Sequence, residues 1–259
     1  MAKLKKQHMT IHWKAIVQDD SSIPATEATL KEKATLVGRI GLMMLSVGTG
    51  AWRVRNSMNK VSRCLGITCT ADIGLLAISY TCIEGTDTYT QSISLPTTGV
   101  NTHKLMELEL FMKEFPDKVS TCSVKHIHEV LDEIQKFPAN YKAWNLGLAS
   151  ALACGAFTFL LGGGPVEMCC AFLGAGVGNF VRKKMLGHSI SLLANVAVSV
   201  AASCLVYVLT ILLAQSLLSV SAVHQAGYIC AMLFVIPGFP LITGGIDLAK
   251  LDLRSGLER

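Results

Sequence analysis

Charged side chains are almost missing from one long stretch of this sequence. The whole chain carries 23 lysines and arginines and 18 aspartates and glutamates, but residues 143–246 hold only Glu167, Arg182, Lys183 and Lys184. Hydrocarbon penalises an ionised group near the centre of a bilayer by roughly 2.5–3.5 kcal/mol, so a stretch this poor in charge is typical of a membrane domain. The hydrophobic fraction of 51% exceeds what a soluble core needs and agrees with that interpretation.

Patterns for metal and nucleotide binding are missing as well. The nine cysteines contain no CxxC spacing, and those inside apolar runs are expected to be reduced, inert thiols. Gly48-Thr49-Gly50 lacks the Lys-Ser/Thr pair of a nucleotide-binding loop. His126 and His128 are two residues apart, so they point to different sides of a helix, and we expect a solvated helix face rather than a metal site. The sequence therefore predicts no metal and no cofactor.

The sequence gives little support for an enzyme or for a nucleic-acid-binding protein. No Ser-His-Asp or Cys-His set stands out, so we predict that the protein is not an enzyme. The net charge of +5 is mild, and the basic residues are scattered or face the membrane, which argues against nucleic acid as a partner. The basic start of the chain is followed by no apolar run of signal-peptide length, so the polar domain is expected to stay in the cytoplasm.

Four apolar runs in the charge-poor stretch predict four transmembrane helices and a multi-pass protein. Lysine and arginine flank these runs on one side only, so the positive-inside rule places both ends of the chain in the cytoplasm. The bilayer is then the solvent of this part of the molecule. The runs are Trp144–Leu161, Val166–Val181, Ile190–Ala214 and Val223–Thr243.

The polar part predicts a small cytosolic α+β domain of order α-α-β-β-α-α. Helical periodicity is found at 27–47, 51–65, 104–115 and 124–137, with Pro116 and Pro138 marking helix ends. Residues 67–83 and 88–95 have strand character. We expect a flexible segment over 1–26, the α+β domain over 27–141, the transmembrane helical domain over 142–245 and a cytoplasmic tail helix over 246–259.

The last apolar run is broken by Pro237, Gly238, Phe239 and Pro240. The two prolines lack the amide hydrogen that would bind the carbonyl four residues earlier, so two carbonyls are freed inside the membrane. Transporters use broken helices of this kind to bind the charged ends of a substrate. The pattern predicts a substrate-binding site at these four residues, with a plain structural kink as the alternative.

Four further polar residues are candidates for transport. Glu167 is the sole acid of the charge-poor stretch and is expected to be a coupling or gating acid, or else an interfacial charge in water. Asn179 and Asn195 are expected to contact substrate or to bridge helices. Asp247 precedes Lys250 by three residues, a plausible helix pair, and is a candidate for gating or partner contact.

Several motifs resemble the threonine/serine exporter family. The helix end Leu42–Ala51 carries part of the resemblance, and the strongest parts are Ile236–Ile242, Gly245–Leu248 and Ser255–Arg259. The resemblance implies the first component of a split exporter pair, whose partner is a short membrane protein of the same family. It also implies an oligomer and a fifth span after the Ser-Gly-Leu motif, where this sequence ends.

The family resemblance implies export of small polar metabolites, either threonine and serine or dicarboxylates such as succinate. We therefore expect a secondary exporter subunit of a bacterial inner membrane, with threonine or serine efflux driven by the proton gradient. The first alternative is a dicarboxylate exporter subunit. The second is a scaffold or regulatory subunit whose partner alone forms the pathway.

Overall fold

The computed structural model describes Trp13 and residues 23–96, 98–136, 141–186, 191–218 and 225–259. Its contacts divide the chain into two compact units. The first, here called the mixed unit, contains residues 1–139 together with 238–259; the second, the helical unit, contains residues 140–237. The C-terminal residues 238–259 thus group with the N-terminal part of the chain, a division that the sequence did not predict. Most of the expected flexible segment 1–26 lies outside the described residues.

The mixed unit is an α+β fold around one apolar core. A capping box begins α1, in which Thr29 and Glu32 satisfy each other's backbone amides. Gly48, with a φ of 81°, follows α1 and turns the chain into α2. The elements are α1 (Leu30–Ser46), α2 (Ala51–Cys64), β1 (Thr68–Ile73), β2 (Ala77–Glu84), β3 (Asp87–Ser94), α3 (Thr102–Val119), α4 (Val124–Lys136), α9 (Gly238–Ala249) and α10 (Leu253–Glu258).

The sheet has three strands, where the sequence predicted two strand segments. The predicted segment 67–83 is two antiparallel strands, β1 and β2, which pair from Thr68–Ile83 to Ile73–Ile78. The prediction was wrong because apolar residues continue through the turn, which Gly74 closes by donating its amide to the Ala77 carbonyl at 2.9 Å. The next hairpin joins β2 to β3, and Gly85, with a φ of 60°, forms its tight turn.

Pro116 lies inside α3 and does not end it, contrary to the prediction. Proline gives no amide hydrogen to the carbonyl four residues earlier, which here is Met112. Lys60 of α2 replaces the missing hydrogen bond, because its Nζ donates to the Met112 carbonyl at 2.6 Å. A side chain from another helix therefore lets α3 continue to Val119.

The helical unit contains the apolar helices α5 and α7, with α6 packed against both. By length and composition, two described helices are able to cross a membrane, within 143–160 and 193–217, and a bent pair on either side of Ile236–Pro237 would be a third. The predicted count of four spans is not confirmed, because glycines and polar residues dilute the apolar character of α6. The elements are α5 (Ala143–Leu160), α6 (Pro165–Leu186), α7 (Leu192–Leu218), α8 (Gln225–Ala231) and a 3-10 turn (Leu233–Val235).

Glycine sets the close approach of these helices. A Cβ added at Gly147 of α5 would lie 3.0 Å from the Gly176 carbonyl of α6. One added at Gly178 of α6 would lie 2.8 Å from Ser203 Cβ of α7 and 2.7 Å from the Phe234 ring. Small residues permit such contacts between backbones in lipid, where packing drives helix association. Polar groups on the facing sides are consequently enclosed by protein.

Candidate functional site

A line of polar side chains follows the protein-facing side of α7. Asn195, Ser199, Ser203 and Tyr207 recur at intervals of four residues, and each is at most 2% exposed. Residues this far apart fall on one face of a helix. The opposite face carries exposed leucines, among them Leu205, Leu209 and Leu212. We call the four residues the polar line of α7. Of the four, only Asn195 was predicted from the sequence, although their four-residue spacing is visible there.

The polar line lies against α6 and the chain around α8. Ser203 Oγ donates a hydrogen bond to the Ala231 carbonyl at 2.7 Å, and Ser199 Oγ donates to the Val196 carbonyl of its own helix at 2.9 Å. The Tyr207 ring meets the Tyr228 ring edge to face, with centroids 5.9 Å apart. The polar side chains thus lie among helices of the unit, whereas the leucine face of α7 lies outside.

Glu167 is buried near one end of this line. It is 7% exposed and belongs to the first turn of α6. A Cβ added at Gly163 would lie 2.5 Å from Glu167 Oε2, so the carboxylate packs over the turn before α6. One added at Gly227 would lie 2.4 Å from the Tyr207 hydroxyl oxygen and 3.0 Å from Glu167 Cβ. Glu167 and Tyr207 therefore both lie close to Gly227 of α8.

The two asparagines have different surroundings. Asn179 Nδ2 donates to the Leu146 carbonyl at 3.0 Å and to Ser150 Oγ at 2.7 Å, so it bridges α6 to α5. Asn195 is 1% exposed, and its Oδ1 is buried with no hydrogen-bond partner among the residues that the structure describes. The bridging alternative thus fits Asn179. No described residue donates a hydrogen bond to the side-chain oxygen of Asn195.

The helix is interrupted at the expected Pro-Gly-Phe-Pro segment. The chain leaves the 3-10 turn at Ile236, and α9 begins at Gly238, which places Pro240 in the first turn of that helix, where no intrahelical amide is needed. Pro237, Gly238 and Phe239 are exposed, and Pro240 is partly buried.

Two carbonyls before the interruption, those of Leu233 and Phe234, are bound by protein groups. The Leu233 carbonyl, one of the two expected to be free, accepts the Ile236 amide at 3.1 Å. The Phe234 carbonyl accepts a hydrogen bond from Arg182 Nη1 at 2.9 Å. Arg182 at the end of α6 is thereby tied to the turn that precedes the interruption.

Asp247 lies in the mixed unit, where it is completely buried. Gly50, the N-cap residue of α2, has no side chain to bind the first amides of that helix. The Asp247 carboxylate does so instead, because Oδ2 accepts the Ala51 amide at 3.0 Å and Oδ1 the Trp52 amide at 3.3 Å. A carboxylate is favoured at a helix N-terminus by the helix dipole.

The prediction that Asp247 pairs with Lys250 was wrong. The Lys250 ammonium lies over the Trp52 ring, 4.7 Å from its centroid. The cation beside Asp247 is Arg259, whose Nε lies 3.4 Å from Oδ2. Ser255 Oγ also donates to Oδ2, at 3.3 Å.

Arg259 completes this cluster, which we call the Asp247 clasp (Asp247, Ser255, Arg259 and the loop 48–50). Its Nη2 donates to the Thr49 carbonyl at 2.8 Å and its Nη1 to the Gly48 carbonyl at 3.3 Å. Burial lowers the pKa of the Arg259 guanidinium, and the charge of Asp247 opposes that shift. Three separate motifs that carried the family resemblance therefore meet in one place.

Two ion pairs fix the chain beside the clasp to the same unit. Arg55 Nη1 lies 2.6 Å from Asp252 Oδ1, and Arg254 Nη1 lies 2.6 Å from Asp72 Oδ2. Glu258 accepts the Leu75 amide at 2.8 Å, which lowers the pKa of its carboxyl. The C-terminal segment is thus held at the first turn of α2 and at the β1–β2 turn.

The prediction that both histidines of α4 lie on a solvated helix face is correct for His126 and wrong for His128. His126 is exposed, but His128 is 1% exposed and its Nδ1 lies 2.9 Å from Arg39 Nη1. A guanidinium only donates hydrogen bonds, so Nδ1 accepts and the ring is neutral. Burial, and then the charge of Arg39, lowers the His128 pKa to about 3. Among the described residues no group of three or more His, Cys, Asp or Glu is arranged to hold a metal.

The apolar helices, with polar groups enclosed between them, are typical of a helical membrane protein. Over residues 35–259 the sequence matches the family described as "Putative threonine/serine exporter". Since this match covers most of the chain, the protein belongs to that family. Membership in a transporter family also agrees with a protein that is not an enzyme.

Two bacterial relatives are similar along most of their length. The "Probable succinate transporter subunit YjjP" of Klebsiella aerogenes is 24% identical over 221 residues, which is 84% of this chain and 82% of the relative. The protein of the same name from Escherichia coli is 23% identical over 222 residues, which is 85% and 83% of the two chains. No solved structure matches this chain. These likenesses support a membrane exporter subunit.

Proposed function

We propose that this protein is the larger membrane subunit of a bacterial secondary exporter for small metabolites that carry a carboxylate. Membership in the exporter family supports export, and the word "subunit" in the names of both relatives supports a second component. That component is a short membrane protein of the same family. The proposed location is the inner membrane, with both ends of this chain and its mixed unit in the cytoplasm.

The observation that carries the proposal is the polar line of α7. A helix that only anchors a protein in lipid has no need of four enclosed polar residues on one face, because polar groups in the membrane interior are costly and tend to mark substrate or ion paths. Asn195 and Ser199 belong to the cytoplasmic half of the proposed path. Tyr207 and Glu167 belong to the outer half, where Glu167 is the proposed carrier of the coupling proton.

The interruption at residues 237–240 and the Asp247 clasp complete the proposed machinery. Pro237, Gly238, Phe239 and Pro240 would contact the substrate as it enters, and Asp247 would hold α9 in place as part of a gate. Asn179 is proposed to keep α5 and α6 together, with its amide outside the path. A scaffold without a path of its own is the contrary proposal, and the polar line argues against it.

Threonine and serine are the first candidates for the cargo, in accord with the family description. Dicarboxylates are the second candidates, because both relatives are named for succinate. Both kinds of molecule present a carboxylate.

Inverted membrane vesicles from cells with and without the gene test the proposal. Labelled serine and labelled succinate would be offered under an imposed proton gradient, with this chain supplied as wild type, Glu167→Gln or Pro240→Ala. We expect gene-dependent uptake of one cargo, and its loss in Glu167→Gln without loss of the protein from the membrane. Uptake that is independent of the gene, or unchanged by both substitutions, contradicts the proposal and favours a scaffold.

A further inference from the structure

We propose, on the basis of the export function above, that Asn195, Ser199 and Arg182 form a binding site that selects carboxylates with a neighbouring hydroxyl or ammonium group. The chemical class is therefore the 2-hydroxy and 2-amino acids. An unsubstituted dicarboxylate anion lacks the hydrogen-bond donor that the site requires.

Asn195 Oδ1 is the first reason. Among the described residues this oxygen has no hydrogen-bond partner, and the residue is 1% exposed. Leaving a buried acceptor unsatisfied is costly, so native proteins rarely do so outside functional positions. Asn179, on the neighbouring helix, has its amide bound at two points. Asn195 therefore differs from Asn179 in having a buried side-chain oxygen without a described donor.

The second reason is the register of α6 against α7. Gly178 of α6 faces Ser203, and Gly174 faces the Ser203 carbonyl and Tyr207 Cβ, so the two helices run antiparallel. Four residues advance a helix by about 6 Å, or roughly one turn. One turn beyond Gly178 is Arg182, and one turn before Ser203 is Ser199. The register therefore sets Arg182 beside Ser199, with Asn195 one further turn along α7.

The third reason is the chemistry of Arg182. Its guanidinium has five hydrogen-bond donors in a planar fork that matches a carboxylate. The hydrogen bond from Nη1 to the Phe234 carbonyl at 2.9 Å orients the group. A carboxylate on the remaining donors would lie near Ser199, because the register of the two helices sets Arg182 beside that residue. There Ser199 and Asn195 offer hydroxyl and amide oxygens, which accept from an ammonium or hydroxyl.

The selectivity follows from the missing partner. A ligand that donates to Asn195 Oδ1 satisfies a buried acceptor, whereas a ligand of the same size without a donor leaves it unsatisfied. Sites that bind a substrate hydroxyl discriminate strongly against the analogue that lacks it, for this reason. Succinate and 2-hydroxysuccinate differ by one hydroxyl and are thus a matched pair of probes.

The experiment measures binding directly, so that it does not depend on transport. The full chain would be purified in detergent together with any subunit that accompanies it, and the affinity for 2-hydroxysuccinate and for succinate would be measured by calorimetry. We expect wild-type protein to bind the hydroxy acid at least about tenfold more tightly, the factor that about one hydrogen bond contributes. In Asn195→Leu the two affinities should become equal, and in Arg182→Met both should fall.

Asn195→Leu is a suitable variant because it removes a buried acceptor to which no described residue donates a hydrogen bond, so its unfolding temperature should be no lower than that of the wild type. Equal affinities in the wild type, a preference that survives in Asn195→Leu, or binding of neither probe would each overturn the proposed site. Gene-dependent uptake by vesicles is a separate measurement. If uptake persists while the preference is absent, export stands and the selectivity site fails; if uptake is absent as well, the exporter proposal fails.

Discussion

Asp247 caps a helix that begins 196 residues earlier in the chain, because its Oδ2 accepts the amide of Ala51 at 3.0 Å. Gly50 provides the turn into that helix but no side chain to cap it. The carboxylate also faces Arg259, and the two side chains are 0% and 5% exposed. The C-terminal segment is therefore joined to the N-terminal part of the mixed unit through this buried pair, because Asp247 accepts the Ala51 amide and Arg259 Nη2 donates to the Thr49 carbonyl.

The Asp247 clasp predicts a large effect of Asp247→Asn. The substitution leaves an amide where two backbone amides and a guanidinium need an anion, and Arg259 becomes an uncompensated buried charge. Breaking a buried pair in this way costs about 3 kcal/mol or more in the free energy of unfolding. Thermal unfolding of the purified protein in detergent measures this loss.

The matched control is Asp72→Asn, which removes an ion pair of the same segment. Asp72 and Arg254 are 60% and 64% exposed, so water screens their attraction. An exposed pair contributes less than about 1 kcal/mol. Similar losses in the two variants would contradict the importance assigned to the clasp.

Lys60→Met should destabilise the protein because the Met112 carbonyl loses its donor. Pro116 cannot replace the hydrogen bond, so a carbonyl inside α3 would be left without a protein partner. The expected cost is about 1.5–3 kcal/mol, the range for hydrogen bonds to charged groups.

A double-mutant cycle isolates that cause. Pro116→Ala restores an amide hydrogen one turn after Met112, so Lys60→Met should cost much less in that background. The free energy of unfolding of the four proteins, measured in denaturant, gives the coupling. Additive losses would mean that the lysine acts by some route other than the carbonyl.

The sequence predicted the helices α1 to α4 of the mixed unit and their order because local signals determine them. The spacing of apolar residues defines α1, and Gly48 and Gly85 end or turn segments through their own backbone freedom. The strand count was wrong because the turn after β1 is apolar, and the extent of α3 was wrong because its determinant is distant in the sequence. Gly74 turns the chain in an apolar run, and Pro116 is tolerated through Lys60, a residue 52 positions from Met112.

The candidate site shows the same difference between residues that local sequence reveals and contacts that only the fold creates. Glu167, Asn195 and Asp247 stood out in the sequence because they are polar residues among apolar ones. Their partners did not, since Arg259 and Ala51 meet Asp247 only in the folded chain. The family resemblance indicated that the motifs matter but not that they touch.

The acid stability of the mixed unit should depend on His128. Its pKa is lowered to about 3 in the folded protein, from an ordinary value of 6.5, by burial and by the charge of Arg39. As pH falls below about 6.5, the unfolded chain binds a proton that the folded chain does not. The free energy of unfolding therefore decreases toward pH 3, by at most about 1.4 kcal/mol per unit of pH.

His128→Gln tests that dependence, because glutamine keeps an acceptor for Arg39 but does not titrate. We expect a smaller loss of unfolding temperature between pH 7 and pH 5 than in the wild type. His126→Gln is the control on the same helix, since His126 is exposed and lies outside the contact with Arg39. Identical profiles for wild type and His128→Gln would contradict the prediction.

Gly178→Ala should weaken the contact between α6 and α7. The added methyl would lie 2.7 Å from the Phe234 ring and 2.8 Å from Ser203 Cβ, so the helices must move apart or the ring must turn. Overpacking of this kind costs about 1–3 kcal/mol. Because the displaced residues include the serine that binds the Ala231 carbonyl, the polar line of α7 should be disturbed as well.

Gly164→Ala is the matched control in the same unit, because a Cβ at Gly164 meets no atom of the described part of the chain within 4 Å. Thermal unfolding in detergent should show a lowered midpoint for Gly178→Ala and no change for Gly164→Ala. Phe234→Leu, which removes the ring that the new methyl meets, should recover part of the loss. A Gly178→Ala protein as stable as the wild type would mean that α6 and α7 pack less closely than their glycines and serines indicate.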